Sequence, residues 1–402
     1  MTMTADKQNK VLNVPTLRFP GFTGEWRKDR IRNLFTINVG GDIDKKEVSD
    51  IQSAKHPYPV IANALSNDGI YGYTSGYKDD APNITVTGRG DVGCAKYRNY
   101  PLYPIVRLLV LHSNGNIDCR FGEHAINRIK KYEESTGVPQ LTAPQLGAYS
   151  ICYPCLNEQS KIGDFLCLLE ERIITQIRII EELKSKKKYL LEQLFCLPNE
   201  QSPRLRIKGH TSQWQKVRLS DIVNRIVTRN KNNISSRVLT IAAQYGLIDQ
   251  QEFFHKQIAS SDLSGYYLLK HGDFAYNKSY SGDYPWGAVK RLDNYPDGVL
   301  STLYICFRPN DNVDSDFICY YFESTKWYRG IMEISGEGAR NHGLLNMSVE
   351  DYFTTRLRIP IIEEQRDISK MLNTFSQKIK IEEELLDRLQ KQKAFLLTSM
   401  FV

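Results

Sequence analysis

The sequence predicts a mixed α+β protein with an internal pseudo-twofold repeat, in which two α/β domains are joined by two long antiparallel coiled-coil helices. Three observations carry this prediction. Two long stretches share one apolar seam. Two lead-in segments are near-copies of each other. The segments between them hold short β-type runs broken by turn residues.

The seam comes first. Ile162, Leu166, Leu169, Ile173, Gln176, Ile180, Leu183, Lys187, Leu190 and Leu194 follow one another in alternating steps of four and three. That is the 3.5-residue period of a coiled coil. Ile368, Leu372, Phe375, Ile379, Glu382, Leu386, Leu389, Lys393, Leu396 and Met400 repeat it at a constant offset of 206. The polar breaks fall at the same two places in both copies. Helices are therefore expected over Lys161–Leu194 and Asp367–Met400. In an antiparallel pair the seam order reverses, which brings Gln176 toward the Lys393 end and predicts a Lys187–Glu382 contact.

The lead-ins are Val14–Phe35 (VPTLRFPGFTGEWRKDRIRNLF) and Ser202–Val223 (SPRLRIKGHTSQWQKVRLSDIV). At an offset of 188, without a gap, Pro15/Pro203, Leu17/Leu205, Arg18/Arg206, Gly21/Gly209, Trp26/Trp214 and Lys28/Lys216 are identical pairs. Duplication explains this economically. Each copy reads as an extended segment, a turn at Gly, a Trp anchor and a short helix (Ile31–Phe35, Leu219–Val223). The exits match as well, with Tyr153–Gln159 (YPCLNEQ) against Ile359–Gln365 (IPIIEEQ). Proline and an early Glu both suit the start of a helix.

Between lead-in and exit, β-branched and aromatic runs bounded by Gly, Pro, Asn and Asp read as strands. In the first half these are Tyr58–Ala62, Ile84–Val86, Ile105–Leu111 and Gly147–Cys152, with a helix at Glu123–Glu134. In the second half they are Val238–Ala242, Asp273–Tyr276, Gly287–Lys290 and Leu303–Arg308, with a helix at Asp316–Arg329. The resulting boundaries are a disordered tail over 1–13, a first domain over 14–152, a first helix segment over 153–198, a second domain over 199–358 and a second helix segment over 359–402. The offset grows from 188 to 206, so the frame repeats while the domains diverge.

Composition bounds the function classes. The chain has 402 residues, a net charge of +7 and 41% hydrophobic residues. That is room for two or three cores and a mild basic bias. No apolar run is long enough to span a membrane. The N-terminal MTMTADKQNK has no apolar core of the secretory kind. Eight cysteines without framework spacing suit reduced thiols in the cytoplasm.

Few motifs carry chemistry. Gly88-Arg89-Gly90-Asp91-Val92-Gly93 spells G-x-G-x-x-G after a strand, but Pro101 and Pro104 follow where a dinucleotide site needs a helix. A glycine-tight turn presenting Arg89, Lys96, Tyr97 and Arg98 is the better reading. Cys152-x-x-Cys155 has no second ligand pair, so no metal site is expected. No phosphate loop, nucleophile elbow or zinc-protease motif is present, and no catalytic residue is assigned. The second half offers Lys278, Ser279 and Tyr280, and a Gly-rich loop with Arg340, Asn341 and His342. Arg suits guanine, Asn suits adenine, and Lys, Ser and Tyr suit phosphates; an ordinary polar loop has the same composition. Lys184–Lys188 is a charge block of the kind that usually marks a solvated face.

The whole chain from about Val14 onward resembles the DNA specificity subunit of type I restriction–modification systems. The duplicated Pro-x-Leu-Arg…Gly…Trp lead-in, the Pro…Glu-Gln exits at Pro154–Gln159 and Pro360–Gln365, and the two helices carry the resemblance. Ile84–Pro104 and Phe274–Phe307 also look like that family's target-recognition domains. The resemblance implies two target-recognition domains, each reading one half of a bipartite site in double-stranded DNA across an unread spacer. It implies docking of two adenine-methyltransferase subunits and, through them, motor–nuclease subunits. S-adenosylmethionine, ATP and Mg²⁺ would belong to those partners, with no cofactor in this chain. A helix of 34 residues at about 1.5 Å per residue spans roughly 50 Å, enough to separate two reading heads. The alternatives are a structural adaptor that recruits partners through its coiled coil and, ranked last, a nuclease.

Overall fold

The computed structural model describes residues 13–129, 140–242, 246–254, 262–279, 284–335 and 345–402. The chain forms two compact units. One contains Met1–Ile177 and Glu384–Val402, the other Arg178–Glu383. The first long helix, Leu156–Leu194, starts in one unit and ends in the other. The second, Ile362–Ser399, makes the reverse passage. Both begin about five residues before the expected position, because the Pro-Cys-Leu and Pro-Ile-Ile exits already lead into the first turn.

Each unit has the same plan. In the first, a four-stranded antiparallel sheet runs in the order Phe35–Val39, Leu109–Ser113, Asn83–Val86, Ala95–Arg98. In the second the order is Val223–Arg225, Ile305–Pro309, Phe274–Asn277, Ala288–Arg291. A two-stranded ribbon closes each unit, pairing Arg27–Arg30 with Ser150–Tyr153 and Gln215–Arg218 with Arg356–Ile359. These ribbons place each lead-in beside its own exit.

A buried ion pair then locks lead-in to exit, and it occurs twice. Arg18 donates to both carboxylate oxygens of Glu158 at 2.7 Å, and Arg206 does the same to Glu364 at 2.8 and 2.7 Å. Glu158 and Glu364 are fully buried. The following glutamines also act alike. Gln159 accepts from the Asp118 N–H and donates to the Pro154 carbonyl, both at 2.9 Å. Gln365 accepts from the Asp314 N–H and donates to the Pro360 carbonyl, also both at 2.9 Å. Asp118 and Asp314 in turn cap the helices Cys119–Asn127 and Ser315–Glu323, satisfying N–H groups that a helix start leaves free.

Each long helix ends by docking on the domain opposite its origin. Phe195 packs against Phe317, with ring centroids 5.1 Å apart. Phe401 stacks on Phe121 at the same separation and meets Trp26 edge-on. The Leu205 N–H donates to the Gln193 carbonyl, and the Leu17 N–H to the Ser399 carbonyl, both at 2.9 Å.

The seam positions Leu166, Leu169, Ile180, Leu183, Leu372, Ile379, Leu389 and Leu396 are buried, and Ile173, Leu190, Phe375 and Leu386 are partly so. In the first unit Ile162, Leu166 and Leu169 share a core with Leu389, Leu396 and Met400. In the second, Leu191 and Leu194 share one with Ile368 and Leu372. Within each unit the start of one helix thus lies beside the end of the other, which makes them antiparallel. Ion pairs Glu170–Lys393 (2.6 Å) and Lys184–Glu383 (2.7 Å) link them. The Lys187–Glu382 expectation is replaced. The Lys187 ammonium goes to Glu323 at 2.8 Å and lies over the Tyr320 ring. A domain helix supplies its counter-charge, which seam spacing cannot reveal.

Other expectations shift. Ile105–Leu111 is not one strand: a turn occupies 105–108 and the strand is Leu109–Ser113. Leu303–Arg308 behaves alike, with its strand at Ile305–Pro309. Gly147–Cys152 splits into the end of a capped helix, Ala143–Ala148, and the strand Ser150–Tyr153. The helix expected at Glu123 starts at Cys119, four residues earlier than its expected start, because Asp118 caps it there. The Asp316–Arg329 helix breaks after Glu323 and resumes as Tyr328–Ile334. Part of the Glu123–Glu134 expectation and all but Asn13 of the expected tail over 1–13 lie outside the described residues.

Removing one partner of a buried ion pair strands the other charge and costs about 3–5 kcal/mol, whereas exposed pairs contribute about 0–1 kcal/mol. Arg206→Ala should therefore lower the urea-unfolding free energy by several kcal/mol. Lys184→Ala, whose pair with Glu383 is about half exposed on both sides, should leave it within about 1 kcal/mol. Equal losses in the two variants would show that the Arg–Glu clamp does not hold the fold.

Candidate nucleic-acid interface

The first domain's glycine turn is the bend of a hairpin. Asn83–Val86 and Ala95–Arg98 pair antiparallel on either side of it, and Gly90 and Gly93 take positive φ of 69° and 83°. No helix opens there, so no phosphate cradle forms. Arg89 is half-buried on the turn. Lys96, Tyr97 and Arg98 lie on the returning strand rather than on the turn.

The four residues differ in availability. Arg98 is only 4% exposed. Its guanidinium donates to the Asp68 carboxylate at 2.6 Å, the Asp68 carbonyl at 3.0 Å, the Tyr100 hydroxyl at 2.8 Å and the Thr85 hydroxyl at 3.2 Å. It is a structural cation. Exposed Lys96 also pairs with Asp68. Tyr97 is half-buried against the core, and burial pushes its hydroxyl pKa up. One aspartate, in left-handed backbone (φ 57°), therefore engages two of the three cations expected on this hairpin.

In the second domain Ser279 is exposed and Lys278 half-buried. The Ser279 N–H donates to the Asn277 side chain at 3.0 Å, and the Lys278 carbonyl accepts from Leu345 at 2.9 Å. Lys278 lines a small cleft with Arg225, Tyr267, Thr302, Leu303 and Tyr304. Tyr280, Arg340, Asn341 and His342 lie outside the described residues. In the charge block on the first helix, Lys184, Lys186 and Lys187 each pair with a carboxylate.

Several surface residues had no sequence signal. Lys78 lies 4.3 Å from the Tyr103 ring centroid, and Arg229 lies 4.7 Å from that of Tyr267. Val106 and Leu303 are 43% and 76% exposed. Residues 105–111 and 303–308 read as continuous apolar strands, which hid the turns.

All eight cysteines are free, Cys152 and Cys155 included. Glu123, His124 and Glu170 bring ligand-type atoms within 4.8 Å of one another. The positive charge beside them is the Lys393 ammonium, 2.6 Å from Glu170. Burial and the Glu170 charge push the Glu123 carboxyl up to about 7, against the pull of the Tyr97 N–H, Lys393 and Lys96. Burial pushes His124 down to about 4.

Two units that share a four-stranded sheet order and a closing ribbon, each receiving the end of a long helix and sending out another, define a duplicated scaffold that carries two α/β domains. The chain belongs to the family described as the type I restriction modification DNA specificity domain, whose model matches residues 23–185 and again 211–391. It is 29% identical over 166 residues to a putative type I specificity subunit of Mycoplasma pneumoniae, covering 40% of this chain and 45% of the relative. The chain thus spans about half the length of the curated relatives it matches. A crystal structure of a type I restriction–modification S subunit from M. genitalium superposes over 97% of this chain and 99% of that one, with a TM-score of 0.61 at 16% identity. A further structure, described as the basis of complex assembly and conformational transition of the type I R-M system, covers 95% of this chain and 98% of its own, with a TM-score of 0.52 at 16% identity. Both share the fold.

The two buried titrating groups make opposed contributions to stability. The folded pKa of Glu123, about 7, exceeds its ordinary 4.5. Its contribution is full below pH 4.5 and lost as pH rises through 7. The folded pKa of His124, about 4, lies below its ordinary 6.5. Its contribution is full above pH 6.5 and lost as pH falls through 4. The two slopes oppose between about pH 4.5 and 6.5. Glu123→Gln removes the falling limb, so the variant's stability relative to wild type should climb across that window. Urea melts at stepped pH check this, and parallel profiles would count against it.

Proposed function

We propose that this chain is the DNA-recognition subunit of a type I restriction–modification complex and carries no catalytic site of its own. Each unit reads one half of a bipartite site in double-stranded DNA. The observation that carries the reading is the repeated frame. Arg–Glu clamp, Gln bridge, capped helix and terminal Phe recur in both units, while exposed turns they hold differ, as at Val106–Arg107 and Thr302–Leu303. A frame kept twice around diverged loops suits one task performed on two targets.

The two methyltransferase subunits dock on this scaffold, and the motor–nuclease subunits join through them. S-adenosylmethionine, ATP and Mg²⁺ serve those partners, and the complex works in the cytoplasm, where the DNA is. The net charge of +7 supports phosphate contacts. These make affinity fall steeply with salt, because each neutralised phosphate releases condensed counterions.

The test is a domain exchange. Residues 36–152 are replaced by the equivalent segment of a relative, the complex is assembled with its methyltransferase, and methylated sites are mapped. One half of the motif should change and the other stay. A change in both halves or in neither overturns the assignment. Binding to mixed-sequence duplexes should weaken by at least tenfold between 50 and 200 mM salt, whereas no binding at either salt, with the methyltransferase present, would favour the adaptor reading.

A further inference from the structure

We propose that the β-turn preceding the second strand of each four-stranded sheet is a base-reading tip, formed by Val106–Arg107 in the first domain and Thr302–Leu303 in the second. The assignment rests on the DNA-recognition reading and deepens it to named residues.

The two turns are equivalent by topology. Leu109–Ser113 and Ile305–Pro309 hold the same place in their sheets, each between the edge strand and the central hairpin. The turns before them close by the same hydrogen bond. Leu108 N–H donates to the Ile105 carbonyl at 3.1 Å, and Tyr304 N–H to the Ser301 carbonyl at 3.2 Å. In both, the two central residues are exposed.

The first turn is strained and braced. Val106 and Arg107 sit at φ 54° and 60°, a left-handed pair that turns of this kind normally fill with Asn-Gly. A β-branched residue there is a genuine outlier, and such strain persists only where the surroundings enforce it. Here they do. The Val106 and Arg107 N–H groups donate to the Gly41 and Gly40 carbonyls, both at 2.9 Å. Asn63 donates to the Val106 carbonyl and accepts from the Gly88 N–H at 2.7 Å. A Cβ on Gly40 would stand 2.8 Å from the Pro104 carbonyl carbon, and one on Gly88 would stand 2.9 Å from the Arg107 carbonyl oxygen. The glycine turn bearing Arg89 is therefore packed beneath the Arg107 turn, and both arginines belong to one rigid surface.

Charge completes the case. Lys96 and Arg98 are held by Asp68, but Arg107 makes no ion pair among the described residues. An unpaired guanidinium on a rigid tip suits the O6 and N7 acceptors of guanine, and Val106 suits a thymine methyl. The same position in the second domain holds Leu303, 76% exposed. It has no hydrogen-bonding group, so it reads a thymine methyl. One frame thus presents two chemistries and selects two different half-sites.

The test uses the full chain assembled with its methyltransferase. Methylated motifs are mapped, and binding is measured on the wild-type site and on its single-base variants. Arg107→Ala should relax one guanine position in one half-site and weaken binding there by about 5- to 150-fold, as loss of a bidentate base contact does. Arg107→Lys keeps the charge on the same backbone and should lose the same preference. Leu303→Ala should act only on the other half-site, and replacing one thymine there by uracil should mimic it. Unchanged motifs and affinities in all three variants overturn the tip assignment while leaving the wild-type bipartite motif, and so the DNA-recognition reading, intact. Loss that is uniform across sequences overturns it too, since that marks a phosphate contact. Absence of any bipartite motif for the wild type overturns both.

Discussion

The structure depends on two carboxylates that cannot stay buried alone. Glu158 and Glu364 are fully removed from solvent at the starts of the long helices. A buried ion without a partner is among the most expensive features a fold can hold. Arg18 and Arg206 satisfy them with two parallel hydrogen bonds each, a geometry that fixes direction as well as charge. Because each arginine sits on a lead-in and each glutamate on a helix, the clamp sets where chain enters and leaves a domain. The neighbouring glutamines extend it to the capped helices, and the Trp–Phe clusters fill the space behind.

The helix pair follows from the same logic at lower stakes. Its seam is mostly leucine and isoleucine, which brings the helices together without choosing a unique register. Ions do the choosing. Lys393 meets Glu170 across the helix pair, near Glu123 of the first domain, while Lys187 meets Glu323 of the second domain. Polar seam positions therefore tie the helices to the domains as much as to each other. The duplication is not perfect at this level: the Trp214 indole N–H reaches Glu364 at 3.3 Å, whereas that of Trp26 finds no hydrogen-bond partner among the described residues.

The division between scaffold and surface explains which basic residues are free to act. Arg98 sits on a hairpin that looks, from sequence, like a cationic reader, yet Asp68 holds it in the interior. Arg107 looks like part of an apolar strand, yet it stands on a braced turn. Availability of a charge is set by what lies beside it in space, and Asp68 is 30 residues from Arg98 along the chain.

The sequence by itself determined the duplication, the two seams, the short lead-in helices and some of the strands, because these are written in local periodicity and in near-identical segments. It also held the clamp in plain view, as identical Arg18/Arg206 and Glu158/Glu364 pairs, but not that each arginine meets its glutamate, since 140 and 158 residues separate them. Tertiary structure alone decided that pairing, the partner of Lys187, the burial of Arg98 and the turns at 105–108 and 301–304. The physical reason is common to all four. Periodicity reports which face of an element is apolar, whereas the fate of a charge or a strained backbone depends on the partner that folding brings to it from elsewhere in the chain.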